Sequence, residues 1–170
     1  MRIAHRVRLV VNLVNGSTLA GLAVSAAGGA RRARYPDGLI VGTGYRLPVP
    51  SAPAFTLGNV IITRREVLVY DTGLFRHEAR HATQYAWCGG VLMLPPYFAA
   101  AGLSWVLSGD VGSWNVFERA AGLTDGGYAN RPVRSAIQRA AVSFLPAAAR
   151  GRSAAGLGDR GRGRGRTGRA

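Results

Sequence analysis

The five-residue run His77-Glu78-Ala79-Arg80-His81 gathers two of the chain's three histidines and one of its three glutamates. Residues four apart on a helix lie one above the other on a single face. His77 and His81 are therefore expected to offer imidazole nitrogens to one tetrahedral Zn²⁺. Glu78 lies beside that face, where it can take a proton from an attacking water without ligating the metal. A zinc site of this kind needs a third protein ligand and a position left for water. Glu66 sits between Arg65 and Val67 beside an expected strand and reads as a solvated edge charge. Glu118 is the better candidate, because Ala121 and Gly122 follow at i+3 and i+4 and would let its helix approach another closely. Asn115-Val116-Phe117-Glu118 also has capping-box spacing, so Glu118 could instead satisfy a backbone N–H. Asp110 is the fallback ligand. Arg80 opposes a metal unless it points away or pairs with a carboxylate.

Several elements must hold these groups in place. Asp71-Thr72-Gly73 opens a helix expected from Leu74 to Trp87, stopped by Gly89-Gly90. A second, short helix is expected over Val116–Ala121, capped by Asn115 and ended by Gly122. Strand character is clearest in "AFTLGNVIITR", rich in β-branched residues, and weaker in "LIVGTGYRL". "EVLVYDTG" is expected to extend or pair with the former, and "ARRARYPDG" reads as a solvated loop. Residues 6 to 29 read as an apolar helix, or as two short elements broken near Gly16. A last amphipathic helix is expected in "RPVRSAIQRAAVSFLPAAAR".

The HExxH run followed by Glu118 in "NVFERAAG" resembles the gluzincin arrangement of zinc metallopeptidases. The preceding "AFTLGNVII" and the longer "HEARHATQ" resemble a bacterial group of zincin-like proteins with an Ala-Phe-Thr-x-Gly strand, HExxHxxQ and a glutamate helix. The match covers residues 54 to 122. It implies that His77, His81 and Glu118 bind Zn²⁺, that Glu78 is the general base, and that a peptide lies along an edge strand from Thr56 to Ile62. The ends lie outside the match; the expected fold is α+β and zincin-like, as one domain over 1–149. For the oxyanion, Tyr85, Tyr97 and Tyr128 are available and none stands out.

Composition restricts the remaining choices. With 48% hydrophobic and 18% charged residues, the chain can bury a core. All 22 basic residues are arginine, giving a net charge of +14, and seven of them lie in the last 21 residues against one Asp. This Gly/Arg tail, 150–170, has almost nothing to bury and is expected to be disordered, with weak, salt-dependent attraction for nucleic acid. A single cysteine, Cys88, excludes an internal disulfide and a cysteine zinc cluster, and reads as a small buried residue. The N-terminus imitates a secretory signal, but Asn12, Asn15, Ser17 and Thr18 interrupt its apolar run. Residues 82 to 109 carry no charge, yet Gly89-Gly90 and Pro95-Pro96 are expected to cut them short of a bilayer span. A buried helix and one resting on a membrane surface both fit. The expected location is cytoplasmic or peripheral to a membrane. The favoured function is a zinc hydrolase, a small metallopeptidase acting on peptide or protein. The rivals are a membrane-associated protein with a vestigial motif and a nucleic-acid binder using the tail.

Overall fold

A computed structural model describes residues 1–70 and 72–137. Met1–Pro132 form one compact unit that contains every element named below. Of the second unit, Val133–Ala170, only the first residues are described, turning helical at Ser135. The rest of the expected last helix, the boundary at Ala149 and the Gly/Arg tail lie outside the described residues.

The fold is α+β. Two helices, α1 (Ile3–Val14) and α2 (Ser17–Ala27), precede four short strands: β1 (Arg31–Arg34), β2 (Ile40–Thr43), β3 (Ala54–Leu57) and β4 (Val60–Thr63). Then come α3 (Gly73–Trp87), a 3₁₀ turn (Gly90–Met93), α4 (Leu94–Ser108) and α5 (Val116–Ala121). The sheet order is β1-β2-β4-β3, with β2 and β4 parallel and the outer pairs antiparallel.

β4 holds the centre because both of its faces are covered. All four of its residues are buried. Side chains alternate across a strand, so Ile61 packs with Leu39, Val41, Leu68, Phe75 and Ala82 on the α3 side. Val60 and Ile62 pack with Ala30 and Tyr45 on the other side, where Leu22 and Val24 of α2 lie. Each such burial is worth about 1.5–3 kcal/mol.

Five expectations change. "AFTLGNVIITR" is a hairpin, not one strand: Gly58, at φ 59°, and Asn59 turn the chain between β3 and β4. A Cβ at Gly58 would lie 2.4 Å from the Thr18 backbone nitrogen, so the turn fits only as glycine against the start of α2. The edge strand is thus β3 alone, and Val60–Ile62 are interior. "ARRARYPDG" is not all loop, because β2 recruits Arg31–Arg34 into an antiparallel pairing that no apolar alternation announces. Its three arginines, all exposed, suit a sheet edge. "EVLVYDTG" makes no strand over its described residues. Pro95 and Pro96 do not interrupt α4; they occupy its first turn, where an absent N–H is harmless. Cys88, finally, is exposed.

Candidate metal centre

α3 is started by Thr72, whose hydroxyl accepts from Phe75 N at 3.3 Å. Its buried side carries Phe75, Glu78, Ala82 and Tyr85, flanked by His77 and His81. The expected boundaries of this helix hold to within a residue. α5 is capped by Asn115, which accepts from Phe117 N at 3.0 Å. Glu118 therefore stands on the expected short helix. Its side chain does not close a capping box: both of its oxygens are turned toward α3 and α4.

The helices meet closely at the place the small residues allow. Ala121 is fully buried. A Cβ on Gly122 would come within 2.4 Å of Arg80 Nη1, and one on Gly126 within 2.5 Å of the His77 ring. Arg80 donates to the Ala121 carbonyl (2.7 Å) and to Asp125 Oδ2 (2.9 Å). The one cation in the motif thus points out of the site and is paired. That ion pair is partly exposed, so its own contribution is about 1 kcal/mol or less; its carbonyl contact helps hold α5 on α3.

His77, His81 and Glu118 converge in a buried group. His77 Nε2 lies 3.1 Å from His81 Nε2. Glu118 Oε2 lies 3.0 Å from His77 Nε2 and 3.4 Å from His81 Nε2. The opposite ring nitrogens settle the tautomers. His77 Nδ1 faces the Gly122 carbonyl at 3.0 Å, and a carbonyl only accepts, so Nδ1 carries the proton. Gln84 Nε2 donates to the Phe117 carbonyl at 2.9 Å, which turns its Oε1 toward His81 Nδ1 at 2.8 Å. His81 is then also protonated on Nδ1. Both Nε2 atoms present lone pairs to the same point.

Glu118 completes the convergence. Tyr97 on α4 donates its hydroxyl to Oε1, while the buried Oε2 receives no hydrogen bond. Three lone-pair-bearing atoms within 3.0–3.4 Å repel one another unless something positive sits among them. Zn–N bonds of about 2.0–2.1 Å in tetrahedral geometry put ligand atoms about 3.3 Å apart, which these spacings match. Burial alone would lower the His77 pKa, but Glu118 and Glu78 outweigh it and hold the imidazole above its ordinary 6.5. Despite its burial, Glu118 is pulled well below the ordinary carboxylate range by the histidines and Tyr97. The group favours a positive charge at this point, either a second proton on His77 Nε2, which would give Glu118 Oε2 a donor, or a metal ion in its place.

Glu78 is placed differently. It is buried, and Thr56 on β3 donates to its Oε2 at 2.7 Å. Burial raises its pKa, against the opposing pull of His81, Thr56 and His77. Tyr85, buried beside it, is pushed up to about 12 by burial and by the Glu78 charge. Tyr128 is also raised by burial and by Glu118. All of these line one cavity of about 550 Å³ whose other walls are apolar, among them Val24, Leu47, Phe55, Met93, Leu94 and Phe98.

The structure brings together the four expected residues, Glu78 among them. Asp110 is elsewhere, accepting from Gly112 N, Ser113 N and Ser113 Oγ in its own turn. Glu66 is exposed. The supporting roles of Thr56, Tyr97, Asp125 and Gly126 were not read from the sequence; the glutamine in HExxHxxQ was the one visible signal for His81's partner. No family model, curated protein or solved structure matches the chain.

Proposed function

We propose that the protein is a zinc-dependent hydrolase, a metallopeptidase of gluzincin type, with His77, His81 and Glu118 as ligands and Glu78 as general base. The observation that carries this reading is the buried Glu118 oxygen, without a hydrogen-bond donor, facing two imidazole nitrogens whose protons are fixed on the opposite side. Two imidazoles and a carboxylate suit Zn²⁺, which supplies a Lewis acid for a carbonyl and lowers the pKa of water.

The chain's own residues account for the rest. Gln84 and the Gly122 carbonyl orient the rings, and Tyr97 fixes the Glu118 carboxylate. Glu78, with a raised pKa, is suited to accept a proton from water and return it to a leaving amine. Thr56 holds that carboxylate at the cavity wall. β3, at the sheet edge beside Glu78, offers backbone groups to an extended peptide. The apolar cavity favours a peptide with an apolar side chain next to the cleaved bond.

The test is a cleavage assay with a peptide library on zinc-loaded protein, wild type beside Glu78→Gln. Cleavage by wild type, lost in Glu78→Gln with zinc retained, is the expected result. Equal cleavage by both proteins would remove Glu78 from the mechanism.

A further inference from the structure

Three helices of this protein are polar on the side that faces the protein and apolar on the side that faces out. α1 buries only Arg8 and Asn12. α2 buries Ser17, Thr18, Gly21 and Ser25, and α4 buries Ser104 and Ser108. Their outward residues include Ile3, Val7, Val10 and Val14 on α1, Leu19 on α2, and Phe98, Leu103, Trp105 and Val106 on α4, all well exposed. A helix on a water-soluble domain does the reverse, turning its apolar stripe to the core. Polar and small residues inside with apolar residues outside is the arrangement of helices whose surroundings are lipid.

The inward polar groups explain why the helices stay in this orientation. Asn12 donates to the Ala82 carbonyl at 2.8 Å, and Thr18 Oγ1 accepts from Asn59 N at 3.3 Å. Ser104 donates to the Asp110 carbonyl at 2.6 Å and accepts from Trp114 N at 2.8 Å. The two helical regions also meet. The elbow between α1 and α2 abuts the 3₁₀ turn so closely that a Cβ on Gly90 would lie 2.6 Å from Asn15 Cγ. Exposed Val14 thus neighbours the turn that carries exposed Val91 and Leu92. Val24 of α2 and Leu94 of α4 wall the same cavity.

We propose that the outer faces of these helices bed into one leaflet of an anionic lipid bilayer. Gly90–Ser108 is 19 residues long and apolar enough to cross a membrane, with 17% of its most apolar window buried. It is tied to the domain through Tyr97, Ser104 and Ser108, which fall on one side of the helix, and the opposite side carries its exposed apolar residues. α1 and α2, bent 76° at their junction, likewise follow the domain. Charge selects the occupant. The chain carries a net +14, with exposed Arg2 and Arg6 at the start of α1 and exposed Arg46 beside exposed Leu47. Anionic headgroups complement that excess, whereas a second copy would set +14 against +14. Apolar insertion and basic attraction together give the two signals that stable attachment needs. The docking rests on the helices alone and stands with or without a bound metal.

Flotation of the purified full chain tests it, using vesicles of phosphatidylcholine alone and of phosphatidylcholine with phosphatidylglycerol. The protein should float with both, more strongly with the anionic mixture, and high salt should weaken but not abolish binding. Trp87 and Trp105, 86% and 55% exposed, should shift to shorter emission wavelengths and be quenched by lipids brominated in the acyl chain. Leu103→Asp and Val106→Asp alter exposed positions, so circular dichroism should stay as in wild type while vesicle binding weakens about tenfold for each. Val7→Asp and Val10→Asp should do the same from α1. A chain that stays in the dense fraction with both vesicles, or that binds without tryptophan quenching, overturns the proposal. So does a stable oligomer in lipid-free buffer whose tryptophans are already blue-shifted and which ignores vesicles.

Discussion

The clamp between α3 and α5 and the outer faces of α1, α2 and α4 break the same rule in opposite directions. The clamp buries His77, Glu78, His81 and Glu118, which water would solvate more cheaply; the outer helices expose valine, leucine and phenylalanine, which a core would welcome. In the clamp, almost every buried polar atom has a partner: Gly122, Gln84, Thr56 and Tyr97 account for the ring and carboxylate atoms that face away from the centre. Glu118 Oε2 remains without a donor, and it points at both Nε2 atoms. On the outer helices most inward polar groups hold the helices to the domain, with Arg8 Nε and Ser25 Oγ left without a partner. Each departure therefore marks a direction from which something else is expected: a cation at the centre of the clamp, an apolar medium outside the helices.

The largest expected effects come from taking the clamp apart. His77→Ala and His81→Ala each remove one of three ligands, and zinc affinity, read by competition with a chromophoric chelator, should fall by at least about a hundredfold. Glu118→Ala should weaken it too, and Tyr97 then loses its acceptor. Glu78→Gln should leave affinity within a few-fold and lower the hydrolytic rate by about 10²–10⁴, the usual worth of a general base.

An intermediate effect separates the ligands from their supports. Gln84→Ala leaves all three ligands but frees the His81 ring to turn, and zinc affinity should fall by about 10–100-fold. If Gln84→Ala bound zinc as tightly as wild type, the pre-set tautomer would not matter.

pH should act on the clamp and not on the outer faces. The metal-free His77 imidazole holds a proton above its ordinary 6.5, mainly because Glu118 and Glu78 outweigh the effect of burial. Ligation needs that nitrogen neutral, so zinc affinity should fall as pH drops through a value higher than 6.5. In the metal-free protein burial raises the Glu78 pKa as well, so its titration, followed by carboxyl NMR on metal-free protein, should lie above the ordinary carboxylate range. Thr56→Val deletes a hydrogen bond that lowers that pKa and should move the titration further upward.

The smallest expected effect concerns the start of the metal-bearing helix. Thr72→Ala removes the acceptor for Phe75 N and should cost about 1 kcal/mol, a fall in Tm of a few degrees by calorimetry. Zinc stoichiometry should not change.

Much of the clamp was legible in the sequence because helix geometry is local. The i, i+4 pair, Glu78 beside it, the Thr72-Gly73 start and the Asn115 cap are all short-range relations, and the structure keeps them. Glu118's pairing with α3 could be read because two small residues follow it. The long-range parts could not be read. The Arg31–Arg34 strand exists because β2 supplies a partner, not because its own residues alternate. The Gly58-Asn59 turn was signalled by its residue types, yet the β-branched run around it read as one strand. The uncharged run from 82 to 109 showed no difference between buried and lipid-facing, because composition is the same for both. Only the burial of Ser104 and Ser108 beneath exposed Leu103 and Val106 separates them.

Whether the clamp holds a metal is read most directly as zinc per chain by inductively coupled plasma mass spectrometry. The full-length protein should be purified without chelator or metal-affinity resin, beside the His77→Ala, His81→Ala, Glu118→Ala and Glu78→Gln variants. One zinc per chain in wild type and Glu78→Gln, with little in either histidine variant and a reduced amount in Glu118→Ala, is the predicted result. Wild-type protein that neither retains zinc nor takes it up at equimolar Zn²⁺ would rule out a zinc site between α3 and α5.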